Sequence, residues 1–117
     1  MRPRVILAEP FAPVKSGFAT VSLRCDTQLC SGRLQLVAHK VVLVESHGPT
    51  RDVIETVLVS SVRFSIRGRA VVSLPVPVTA DAIREITTVP HFRVVVVATF
   101  AVANGANTRY KLALVAA

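Results

Sequence analysis

Residues 61–67, SVRFSIR, alternate strictly. Val62, Phe64 and Ile66 share one parity, and Ser61, Arg63, Ser65 and Arg67 share the other. Apolar residues confined to every second position predict a strand buried on one face. Gly68 supplies the positive φ that a tight turn needs, and Val72, Leu74, Val76 and Val78 return on a single parity. The pair therefore reads as a central hairpin, which cannot bury its apolar side alone and requires a second sheet.

The same reading extends along the chain. Val5 to Leu7 predicts a short leading strand ended by Pro10 and Pro13. Val21, Leu23 and Cys25 form the inward parity of a strand over 18–25. After the link DTQL, the residues Cys30, Gly32, Leu34 and Leu36 rebuild an inward face, and an apolar piece follows at Val41 to Val44. Residues 45–52, ESHGPTRD, read as a loop. Val53 to Val59 are expected to run into the Ser61 arm as one long bent strand, with a bulge at Ser60-Ser61 where the parity shifts. Thr79 is a suitable N-cap for one or two helical turns carrying Ile83 and Ile86, and Pro90 marks the exit. Phe92, Val94, Val96, Ala98, Phe100 and Val102 predict the longest strand. The Asn-Gly of ANGAN predicts a hairpin into a last strand with Tyr110, Leu112 and Leu114 inward. The expected fold is all-β, a two-sheet sandwich of about seven strands with one short helical turn. Its parts would be an N-terminal arm with a short strand over residues 1–16 and the sandwich over 17–117.

Composition narrows the function. At 51% hydrophobic and 5% aromatic, the apolar set is dominated by valine, which favours strands. No apolar run approaches the roughly 20 residues of a membrane-spanning helix. The N-terminus lacks an apolar core of signal-peptide length, because Glu9 and Pro10 interrupt it, so the expectation is either an unprocessed cytoplasmic product or a chain whose leader has been removed, with Met1 followed by Arg2 favouring the first. The net charge of +7 raises nucleic acid as a partner. Against this, Arg63, Arg67, Arg93 and Arg109 occupy polar parities as a solvated face would. Phe64, Phe92 and Phe100 fall on the apolar parity, where they cannot stack on bases.

Several pieces together resemble the Ig-like repeat modules of actinobacterial and other bacterial surface proteins. They are Val21-Ser22-Leu23-Arg24-Cys25, Cys30-Ser31-Gly32-Arg33-Leu34-Gln35-Leu36, Arg63-Phe64-Ser65-Ile66 and Val72-Ser73-Leu74-Pro75-Val76, followed by Ala82 to Ile86 and Arg93 to Val97. The resemblance covers roughly residues 17–116 and implies an Ig-like sandwich. Unlike tandem surface modules, this chain shows one copy and extra residues between Leu36 and Val59. It thus looks like a non-enzymatic structural protein of an actinobacterial phage particle, a capsid decoration or tail-associated module in a virion assembled in the host cytoplasm. The alternative is an adhesive or ligand-binding domain at a bacterial cell surface. The partners implied are protein subunits of a symmetric assembly, either copies of this chain or capsid and tail subunits.

Chemistry-bearing residues are few. Cys25 and Cys30 flank a predicted turn where a disulfide is geometrically feasible, and two reduced thiols are the other state. His39, His47 and His91 are scattered, and no nucleophile elbow, phosphate loop or zinc-protease motif occurs. Asp26, Asp52 and Asp81 read as link and helix-start residues that satisfy backbone donors, Asp81 complementing the helix dipole. No catalytic residue, cofactor or metal site is expected. The unusual feature is apolar surface on the polar parity: Val95 and Val97, with Val71 on a neighbouring segment and Arg93 at the margin, form the expected interface.

Overall fold

The alternating segments become eight strands and one helix in the computed structural model, which describes residues 2–44, 51–86 and 92–116. The strands are β1 (Val5–Leu7), β2 (Phe11–Lys15), β3 (Phe18–Cys25), β4 (Leu29–Val44), β5 (Arg51–Arg67), β6 (Val72–Pro77), β7 (Arg93–Val102) and β8 (Thr108–Ala116); α1 spans Ala80–Ile86. Hydrogen-bonded order runs β1-β3-β2-β8-β7-β4-β5, with β6 on β3. β2 is the corner. It pairs with β3 only through Val14 and Lys15, and with β8 in parallel from Phe11 to Val14. The ladder folds over there into a smaller layer, β1-β3-β6, and a larger one, β2-β8-β7-β4-β5. The result is an all-β, sandwich-like arrangement whose two layers are joined at β2.

Packing follows from the parities. Val21, Leu23 and Val76 of the smaller layer and Leu34, Leu36, Phe100, Leu112 and Leu114 of the larger one are fully buried. Phe100 packs edge-on against both Phe64 and Tyr110, with ring centroids 5.9 and 6.0 Å away. The Tyr110 hydroxyl donates to the Val5 carbonyl at 2.9 Å, tying the larger layer to β1. Gly32 sits where β7 presses on β4: a Cβ there would collide with the Ala101 carbonyl oxygen. α1 begins at Thr79, whose Oγ1 accepts from the Ala82 amide at 3.1 Å, the cap that the sequence predicts.

Several expectations change at the level of pairing. The arms 61–67 and 72–78 are not a hairpin. β5 pairs with β4 and β6 pairs with β3, so the link through Gly68 crosses between layers. Phe11–Lys15 is a strand despite Pro10 and Pro13, because the β3 ladder does not reach Pro13 and needs no amide from it. Residues 5–15, set apart by sequence as an arm, supply β1 and β2 and bury Val5 and Ala12 in the core. β2 and β3 join through Ser16 and Gly17 at φ 54° and 83°, a two-residue turn of the kind antiparallel strands favour. The longest strands are β4 and β5 rather than β7. They pair from Leu29–Arg67 out to Val44–Arg51, whereas β4 meets β7 only over Gly32–Val37. β5 is continuous, as expected, but its extra residue is Val59, between the partners of Leu36 and Val37, and not at Ser60-Ser61, which pair in register with Leu36 and Gln35. Most of the predicted loop 45–52 lies outside the described residues, as do His47 and His91.

Candidate functional site

Cys25 ends β3 and Cys30 lies at the start of β4, and the two are joined as a disulfide with Cα atoms 5.7 Å apart. They were expected to flank a hairpin. Instead β3 and β4 belong to opposite layers, so the bond staples the crossover. Around it, Asp26 Oδ1 accepts from the Arg4 amide at 2.8 Å, and the Asp26 amide donates to the Arg4 carbonyl at 3.0 Å. Asp26 sits with the two sulfurs in a group of metal-ligand spacing. Sulfurs bonded to each other supply no thiolate to an ion, and the carboxylate is engaged by the backbone.

The outward side of the larger layer is the candidate surface. Val95 is 59% exposed and Leu58 57%, while Val97 and Val37 are half-buried beside them. Strand geometry puts these side chains there: their neighbours Val96, Ala98, Leu36 and Ala38 point into the core. Register sets Val97 opposite both Val37 and Lys111, and Val37 opposite Leu58. Val95 lies opposite Ala113, itself opposite Phe11 of β2. An apolar strip thus crosses the sheet on the side that no second layer of the described residues covers. Arg93 is exposed at its edge, as expected.

Val71 does not belong with this strip. It is 59% exposed just before β6, on the outward parity of the smaller layer, because the β5–β6 link changes layers. Sequence parity could show that Val71 points away from the core, but not which of two opposite faces it joins. Leu58 was not singled out by sequence, and the signal for it was the parity reversal before Ser61. Ile54, 69% exposed, extends the same outward parity along the β4–β5 hairpin. His39 is exposed. No helix of the described residues is long and apolar enough to cross a membrane.

The fold and this face define the chain as an all-β sandwich with a partly apolar sheet surface that no other strand or helix among the described residues covers. No protein-family model matches the chain, and no curated protein does. Among solved structures it is similar to the crystal structure of Spo0M, a sporulation control protein from Bacillus subtilis, at 18% identity and a TM-score of 0.46. That similarity covers 99% of this chain and 49% of the other, so the chain spans about half the length of the Spo0M structure. A likeness of that depth assigns neither an activity nor a partner.

Proposed function

We propose that this chain is a non-catalytic structural module that joins an assembly by docking the outer face of its larger layer onto a protein partner. The observation that carries the reading is the apolar strip of Val95, Val97, Val37 and Leu58 on a face that the described residues leave open. Clustered apolar surface ringed by polar groups is the usual composition of a protein interface. Its supports for a non-enzymatic role are local: both cysteines are bonded to each other, Asp26 holds the Arg4 amide, and Asp81 pairs with Arg84. The setting proposed is an actinobacterial phage particle, with the chain on the head or tail against a capsid or tail subunit or another copy of itself.

A second reading, an adhesive module at a bacterial surface, is favoured by the Cys25–Cys30 disulfide, because such bonds persist in oxidising compartments. One fractionation separates the two. A lysate of the producing cells is resolved on a density gradient, and the chain is quantified by mass spectrometry. Co-migration with particles supports the first reading, and recovery with the cell envelope replaces it by the second. Recovery only as free protein removes the structural role.

A further inference from the structure

Cross-strand register lays the outward side chains of the larger layer in rows, and the rows differ in character. One holds Lys111, Val97, Val37 and Leu58; the next holds Arg109, Thr99, Gln35 and Ser61; the next holds Ala101, Arg33 and Arg63. Side chains directly opposite one another have Cβ atoms about 5 Å apart, so the apolar strip lies against a basic, hydroxyl-bearing field. No acidic residue stands in any of these rows. Arg33 and Arg63 are direct opposites and both are exposed. Like charges so placed repel, and Arg33 Nη1 donates to Ser61 Oγ at 3.2 Å rather than to a carboxylate. The pair borders an open depression of about 550 Å³ whose lining includes Ser31, Ala101 and Ala103. Such a field is unfavourable in the free molecule and becomes favourable when an anion sits on it.

We infer that this face docks an acidic protein segment. Carboxylates of the partner meet Arg33, Arg63 and Arg109, and its apolar side chains cover Val37, Val97 and Leu58. Arginine forks suit carboxylates in two-point contacts, and a neighbouring apolar strip excludes water from them. The inference rests on the docking function proposed above and adds the partner's chemistry. A second copy meeting this face by two-fold symmetry would offer the arginines the same patch again, whose rows hold no carboxylate to receive them. Nucleic acid would answer the arginines but leave the valines uncovered. Stacking also needs exposed rings, and Phe11 and His39, the exposed rings among the described residues of this layer, lie beside Ala113 and Thr56 and away from the Arg33–Arg63 row.

The test uses the full chain and four labelled probes in fluorescence anisotropy: an extended peptide alternating Glu and Val, its Lys-Val counterpart, polyglutamate, and single-stranded oligothymidylate. The Glu-Val peptide should bind at least about tenfold tighter than each of the others, with affinity falling as salt rises. Arg63→Glu gives a signature that no general damage to the fold produces. It sets a carboxylate opposite Arg33, so the unfolding midpoint should rise while Glu-Val affinity falls at least about tenfold. Equal binding of the Glu-Val and Lys-Val peptides overturns the inference. So does tighter binding of oligothymidylate that Arg63→Glu abolishes, which makes this a nucleic-acid face, or a wild-type oligomer in sedimentation that Arg63→Glu dissolves, which makes the occupant another copy. If Val97→Lys releases the chain from its particle while Arg63→Glu changes neither release nor peptide affinity, the docking function stands and the acidic partner falls.

Discussion

At the scale of single residues, burial separates side chains that neighbour each other in sequence. Phe64 is 6% exposed and packs edge-on against Phe100, while Arg63 stands in water one position earlier. Phe64→Ala should cost about 3–5 kcal/mol in urea unfolding, the range for emptying an aromatic core site. Arg63→Ala should stay within about 0.5 kcal/mol, as surface strand positions do. Equal, mild effects would mean that the inward register of β5 is wrong. Gly32 makes a different kind of demand. Its backbone conformation is ordinary, but a methyl group there would collide with the Ala101 carbonyl, which belongs to a paired strand and cannot step aside. Gly32→Ala should therefore destabilise by about 1–3 kcal/mol, the cost of overpacking, although alanine is the smallest replacement. An unchanged unfolding midpoint would show that β4 and β7 are further apart than described.

At the scale of elements, the two crossovers decide the architecture. The links after Cys25 and after Arg67 both carry the chain from one layer to the other, and the Gly68 amide donates to the Gln28 carbonyl at 2.8 Å, tying one to the other. The disulfide sits on the first of them. Alkylation of the native-purified, denatured protein without reductant should label neither cysteine. The Cys25→Ala, Cys30→Ala variant should lose about 2 kcal/mol in the chain-entropy account while still folding. Two labelled thiols would remove the staple. Thr79→Ala should cost about 1 kcal/mol through the lost cap at Ala82, and no change would mean that α1 is held by packing alone.

These elements also show what the sequence could disclose. Alternation at 18–25, 61–67, 72–78 and 93–102 gave the inward side chains, because burial acts on each position separately. Pairing is different. Asp26–Gln28 and Gly68–Val71 have the turn residues of hairpins, and only the long-range competition for β3 and β4 makes them crossovers. β2 was hidden by its prolines, which local propensity penalises and a half-paired corner tolerates. The candidate face was legible in part, since parity placed Val95, Val97, Arg63 and Arg93 outward. That Arg33 faces Arg63, that Leu58 joins Val37, and that Val71 lies on the opposite side all depend on register between distant segments.

At the scale of the whole molecule, the sandwich spends its inward residues on one core and leaves the outer side of its larger layer chemically divided. An apolar strip runs through Val95, Val97, Val37 and Leu58, with the mutually opposed Arg33 and Arg63 two rows away. On the function proposed above, this strip is a docking surface and not part of the core. Lysine at an outward position keeps its charge in water, whereas lysine in a core has neither water nor a partner. The most direct measurement takes the Val95→Lys, Val97→Lys variant, records its thermal unfolding by circular dichroism, and quantifies its incorporation into the particle fraction of a density gradient beside the wild type. The account predicts an unfolding midpoint within about 5 °C of the wild type, as a surface change in a domain of this size allows, together with loss of incorporation. A variant that unfolds would show the valines to be core, and a folded variant incorporated as fully as the wild type would show that this face docks nothing.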